Sequence, residues 1–376
     1  MTAAKPLHGI VVIELCQNVA GPYAGLVLAQ LGARVIKIER TSVGDDTRRW
    51  GPPFVQGDGL MFHVMNAGKE SVELDLKQDS DRAKLLQLLR GADVFIQSLR
   101  PGAMERAGLG CDVIRGCNDQ LIYCNISAFG SRGPLADEPG YDPLIQAFTG
   151  IMSTTGEDGR PPVRVGTSVI DMGTGVWVVI SVLAALRQRA DTGKGSVVDT
   201  SLFEVGLAWM PYQLVGRMMT EEEPKRLGSG LGMLVPYQAF EAADRFIVVA
   251  VGNDDAWKRL CDALERPDLA TDPDLVTNAG RVAARERVAE EVGLTIRTRA
   301  AADWVARLHE ARVAVSLVQG LGEVLAHPQT SAMGMIRPAD GSLGGSMGLP
   351  FTLDGVRAFP SIGAPQLGGS GEPRMA

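Results

Sequence analysis

Through the first third of the chain, short β-branched runs alternate with helix-periodic stretches. "IVVIEL" (10–15) reads as a buried strand. "GPYAGLVLAQLGA" follows as a helix with Pro22 in its first turn and Gly32 near its end, and "RVIKIE" (34–39) as the next strand. The pattern recurs: "SVELDL" precedes the helical "DSDRAKLLQLLRGA", then come "DVFIQSL" and, after another helix, "QLIYCNISAF". Strands separated by helices imply crossover units on a parallel sheet. "DTGKGSVVDTSLFEVGLAWMPYQLV" adds a turn, a strand and a helix.

The texture then changes. "TEEEPKRLGSGLGMLVP" mixes charge, proline and glycine and reads as a long exposed crossing segment. "YQAFEAADRFIVVAVGNDDAWKRLCDAL" reads as a hairpin leading into a helix capped by Asn253 or Asp254, and two amphipathic helices and the strand "VAVSLV" complete a smaller α+β unit. The tail past "HPQT" is rich in Gly and Pro, and its strands "MGMIRPA" and "SMGLPFTL" need a partner surface, which the first domain would supply.

At 376 residues there is room for two domains, with 45% hydrophobic residues to fill their cores. The net charge of -7 comes from interspersed acids and bases, so neither nucleic acid nor an anionic membrane is expected as a partner. Five cysteines without C-x-x-C spacing and four scattered histidines fit a reduced, metal-free cytoplasmic protein. The N-terminus is interrupted by Glu14 too early for a secretory segment, and the apolar run from Val176 to Leu186 is too short for a bilayer.

Several sites are disfavoured. The first strand is followed by "CQNVAGPYAG" rather than a G-x-G-x-x-G turn, and there is no phosphate-cradling G-x-x-x-x-G-K-[ST]. "GGSMG" (344–348) matches the nucleophile-elbow pattern, but no histidine follows His327, so a loop is expected there. His63, His309 and His327 have no ligand partner at useful spacing and read as structural or surface residues. Asp171, in "VGTSVIDMGTGVWVVISVLAALRQR", reads locally as a helix-capping acid.

The remaining motifs run in one order: "AGPYAGLVLAQLGARVIKIER" with "GDDTRRWGPP", "ADVFIQSLRPGAMERAGL", "ISAFGSRGP", "PGYDPLIQAFTGI", "GTSVIDMGTG", "PYQAF" with "VAVGND", and "EVLAHPQ". Together they resemble the class III CoA-transferase family, which includes formyl-CoA:oxalate and carnitine CoA-transferases and is related to α-methylacyl-CoA racemase. The resemblance covers residues from about 7 to about 335. It implies an α/β fold with a Rossmann-like large domain at 1–200, completed by 328–376, and a linker at 201–224. A smaller α+β domain at 225–318 would follow, then a return segment from 319, with two chains interlocked as a homodimer.

The resemblance also assigns roles. Asp171 falls on the family's nucleophile. Val19, Ala20, Arg40, Leu74, Lys77, Ser98, Leu99, Arg100 and Arg106 match positions along CoA, and Pro139, Tyr141 and Asp142 the tight turn beside the nucleophile. Gly228, Ser229 and Gly230 match a loop that closes over the reacting acid. CoA is then a substrate rather than a tightly bound cofactor, and the partners are an acyl-CoA donor and a small carboxylate acceptor. Two departures stand out. "AGKES" has Gly68 and Glu70 where relatives often have Asn and Arg, leaving Lys69 for phosphate contact, and Leu231 replaces a histidine.

A protein carboxylate activates a free acid without releasing the thioester's energy to water, through an aspartyl anhydride and an aspartyl-CoA thioester. Gly173 and Gly175 would allow close backbone approach to such intermediates. Two alternatives are a racemase or epimerase, which needs an opposed acid and base and would place Tyr141 where related racemases carry a histidine, and a non-catalytic acyl-CoA-binding protein.

Overall fold

The computed structural model describes residues 5–338 and 343–371. Its chain divides into two compact units, the first made of residues up to Ile151, Val165–Leu214 and from Pro328 onward, the second of Met152–Arg164 and Val215–His327.

In the first unit six strands form one sheet: β1 (Val11–Leu15), β2 (Arg34–Glu39), β3 (Glu70–Glu73), β4 (Val94–Gln97), β5 (Ile122–Ser127) and β6 (Val197–Ser201). The order is β3-β2-β1-β4-β5-β6 and every pairing is parallel. This is the strand order of the doubly wound dinucleotide folds, although the glycine fingerprint of their phosphate turn is missing. Helices cover both faces, because a parallel sheet needs a crossover for every strand. Among them are α1 (Ala20–Gln30), α2 (Asp79–Arg90), α3 (Ala103–Arg106), α4 (Asp142–Phe148), α5 (Val169–Thr192) and α6 (Leu202–Ala208); α7 (Pro211–Thr220) follows, with its residues from Val215 onward counted in the second unit and none of its side chains buried. The stretch 201–224 is therefore partly helical, and Leu202, Val205 and Met210 are buried.

By length and composition α5 would cross a bilayer, which the shorter apolar run did not indicate. In this fold it packs along α1, and Ile170, Val178, Val182 and Ala185 join the core. At roughly 1.5–3 kcal/mol for each large aliphatic side chain, that burial fixes the helix on the sheet. Its other side leaves a row of Val176, Trp177, Ile180 and Leu183 exposed, and α7 exposes Tyr212, Val215, Met218 and Met219.

The tail pairs with itself, Ile336–Pro338 antiparallel to Gly345–Met347. It is tied to the first unit by Gln30 Nε2 donating to the Met347 carbonyl at 2.8 Å and by Arg48 donating to the Pro365 carbonyl at 3.2 Å. Ser346 of "GGSMG" lies in that short strand, not the expected loop, and the following element is another strand pair rather than a helix.

The second unit has an antiparallel sheet of β7 (Tyr237–Glu241), β8 (Phe246–Ala250) and β9 (Ala314–Leu317), with β8 central. Asn253, not Asp254, caps α8 (Asp254–Leu264), its Oδ1 accepting from the Ala256 N–H at 2.8 Å. Trp257 and Trp304 are fully buried in its core.

Candidate functional site

In an open parallel sheet, ligands bind beyond the carboxyl ends of the strands, where successive crossovers turn in opposite directions. Here that point lies between β1 and β4. A cleft of about 750 Å³ opens there, walled by Leu15 to Gln17 after β1, Arg40 after β2, Leu74 to Lys77 after β3, and Leu99 and Arg106 after β4. Four basic residues, Arg40, Lys77, Arg106 and Arg82 of α2, are among those lining it, together with the acids Glu39, Asp45 and Asp75. Arg40 donates to Asp46 at 2.7 Å and to the Gly44 carbonyl at 3.0 Å, and Arg82 donates to the Leu76 carbonyl at 2.9 Å, so both guanidiniums are oriented before any ligand arrives. Leu74 is only 4% exposed and its N–H is spent on the Glu39 carbonyl at 2.9 Å. Four cations around an elongated cleft suit a ligand carrying several phosphate charges.

Gln17 and Leu99 also line a smaller neighbouring pocket of about 220 Å³, whose wall includes Asp171. Val19, Ala20, Ser98, Arg100, Pro139 and Tyr141 line it too, so the expected residues converge here from β1, β4 and the turn before α4. Gln17, Asn18 and Arg82 were not singled out from the sequence; their positions just past strand ends or on the next helix were the available signal.

Asp171 sits in the first turn of α5, but it is not the cap. Asp142 takes that role from a different helix: its Oδ2 accepts the N–H groups of Ile170 at 2.8 Å and Asp171 at 3.1 Å, and its Oδ1 accepts from Gln146. Asp142 is 4% exposed and is not among the residues lining the pocket; it holds the start of α5, and with it Asp171, in place. Among the described residues, nothing donates a hydrogen bond to the Asp171 carboxylate. Burial and the nearby charge of Asp142 push its pKa up to about 7. That makes it an under-solvated carboxylate, half protonated near neutrality and poorly stabilised as an anion.

Other expectations change. Lys69 is 1% exposed, and its ammonium is spent on Glu14 at 2.7 Å, the Pro22 carbonyl at 2.8 Å and Asn66 at 2.9 Å, so it is not free for phosphate. Burial outweighs the attraction of Glu14 and, with Lys37 close by, holds its pKa down at about 8. Gly173 and Gly175 serve packing: a Cβ on Gly175 would lie 2.8 Å from the Ala20 carbonyl oxygen, and one on Gly173 2.8 Å from the Trp209 ring. The loop Gly228, Ser229, Gly230 belongs to the second unit, where Leu227–Gly228 pairs with Gly156–Glu157. It is tied there: Ser229 Oγ accepts from Ala239 at 2.8 Å, and Arg285 donates to the Gly232 carbonyl.

The model of CoA-transferase family III matches residues 7–370. Acetyl-CoA:oxalate CoA-transferase from Acetobacter aceti is 38% identical over 97% of this chain and 95% of its own length. Human succinyl-CoA:glutarate CoA-transferase is 32% identical over 96% of this chain and 85% of its own. A crystal structure of a CAIB/BAIF family protein from Brucella suis superimposes with a TM-score of 0.87 at 34% identity, covering 97% of both chains. A cation-rimmed cleft ending at a poised carboxylate thus coincides with a family match along nearly the whole chain: the protein belongs to CoA-transferase family III and is an enzyme that transfers CoA.

Proposed function

We propose that this enzyme moves CoA from an acyl-CoA donor to a small dicarboxylate, with Asp171 as the nucleophile. The observation that carries the reading is the junction of the two compartments. The larger cleft would take the nucleotide and pantetheine of CoA, with Arg40, Lys77, Arg82 and Arg106 toward its phosphates, and the neighbouring pocket, which shares Gln17 and Leu99 with it, supports Asp171 as the group that meets the thioester.

An Asp171 oxygen attacks the donor's acyl carbon and the C–S bond breaks, giving an aspartyl anhydride and CoA thiolate. The thiolate attacks the Asp171 carbonyl carbon and expels the donor acid as its carboxylate, leaving an aspartyl-CoA thioester. The acceptor carboxylate attacks that same carbon and releases the thiolate again. Attack of the thiolate on the acceptor's acyl carbon then yields the new acyl-CoA and restores the Asp171 carboxylate. One negative charge is passed along at each step, and no free acid has to be activated from water. A carboxylate with few hydrogen bonds is the more reactive nucleophile, and a pocket of about 220 Å³ limits the water that could hydrolyse an anhydride.

The acceptor class rests on relatives: proteins named for oxalate, glutarate and mesaconate all act on dicarboxylic acids. The exposed apolar rows on α5 and α7 support a homodimer, which we take to be interlocked, and the unpaired cysteines are in keeping with a cytoplasmic enzyme. The test is hydroxylamine trapping during turnover, alongside a mass-spectrometric panel of acyl-CoA donors against mono- and dicarboxylic acids. Asp171 should be converted to a hydroxamate, Asp171→Ala should lose exchange, and dicarboxylates should be preferred. Exchange proceeding with no label on Asp171 would refute the mechanism.

A further inference from the structure

Asn18 lines the Asp171 pocket just past the junction, and its backbone is in the left-handed region at φ +67°. A non-glycine residue stays in that conformation only where its surroundings hold it, and such residues gather at active sites. The holding groups are visible. Asn18 donates its N–H to Asp45 Oδ1 at 3.2 Å. The other Asp45 oxygen lies 2.9 Å from Lys37 Nζ, with both side chains fully buried. The same ammonium donates to the Cys16 carbonyl at 2.8 Å and to Glu14 at 3.0 Å. A buried ion cluster therefore grips the loop 16–18 at both ends. Buried charges are costly to desolvate. What the cluster secures is the position of Asn18.

The Asn18 carboxamide is left without an internal role. Its Oδ1 is shielded from solvent and has no hydrogen-bond partner, and among the described residues the amide nitrogen has none either. With the oxygen turned inward, the N–H₂ end is what the pocket receives. That N–H₂, with no partner among the described residues, is free to donate to an oxygen of a bound ligand. Ser127, in the same wall, is already committed to the Thr200 carbonyl and the Gly130 N–H. Gln17, Ser98, Arg100 and Tyr141 also carry donors in the lining, but of these residues only Asn18 has a left-handed backbone.

We propose that Asn18 is a catalytic residue whose amide N–H₂ donates to the acyl oxygen as charge develops on it in the tetrahedral intermediates, and that Asp45 is the positioning residue that holds it there. This rests on Asp171 being the nucleophile.

Asn18→Gly is the informative variant, because glycine accepts φ +67° freely and keeps the N–H to Asp45 while deleting the carboxamide. Its kcat should fall about 10²-fold, the usual effect of one lost oxyanion donor, with KM for the acyl-CoA donor within about twofold and no loss of thermal stability. Asn18→Asp should be slower still, since a carboxylate repels the developing oxyanion. Asp45→Asn should lower kcat about tenfold, through a looser loop. The proposal is overturned if Asn18→Gly keeps kcat within about threefold of the parent enzyme, if only KM changes, or if Gln17→Ala carries the loss instead. Hydroxylamine trapping in the parent enzyme separates the two readings. Label on Asp171 with full speed in Asn18→Gly sinks this inference alone, and no label removes its foundation.

Discussion

Asp171 and Asp142 are two carboxylates with opposite tasks, set by what surrounds each. Asp142 is saturated by two backbone N–H groups and Gln146, while Asp171 is left without donors beside it. If ionised Asp171 attacks, activity should rise with pH through about 7, and Asp142→Asn, by removing the neighbouring charge, should move that acid limb to lower pH. A pH profile of kcat/KM checks both. The same shift bears on stability. The folded pKa lies above the usual 3.8, so the folded state binds the proton more tightly. That advantage is present below about pH 4 and is lost as pH rises through about 7. Asp171→Asn should therefore stabilise the protein at pH 8, by about 1–2 kcal/mol after allowance for partial solvation, and leave it little changed at pH 4. Thermal melts at the two pH values decide it. Not every polar residue was legible in the sequence. Glu14 and Lys37 interrupt apolar strands, where a charge is ordinarily expected to face water, yet both are fully buried and paired. In a parallel sheet both faces are covered, so they are satisfied only by partners brought up by other elements, each other together with Lys69 and Asp45, and that pairing depends on strand order.

The helix crossing of α1 and α5 is what places Asp171 beside the loop after β1. It depends on Gly175, where backbone meets backbone at a distance no side chain tolerates. Gly175→Val should cost about 1–3 kcal/mol, read from denaturant unfolding, and lower activity in proportion as the helices part. At this scale the sequence was most legible. "RVIKIE" is β2 residue for residue, because β-branched periodicity and flanking turn signals agree there. "SVELDL" was less so: the ladder ends at Glu73, and Leu74 to Lys77 turn away to form the cleft wall. Nor did any pattern mark 156–157 as the partner of 227–228, since a two-residue ladder leaves no periodicity to read.

The whole molecule carries apolar surface that a lone chain would leave wet, on α5 and α7. Light scattering should give a mass twice the 40.0 kDa of one chain; a monomer at micromolar concentration would rule out the homodimer. The grouping of 152–164 with the second unit has no signal in the sequence, because only spatial pairing reveals it. Chain order has one more effect. The last strand of the sheet ends at Ser201, yet the bonds from Gln30, Arg48 and Ser71 that tie the tail reach Met347, Pro365 and Ser370. On a ribosome adding roughly 5–20 residues per second, the sheet is complete about 7–34 s before its covering tail is made. During that interval the bare flank of the newborn domain is the surface a chaperone would meet first.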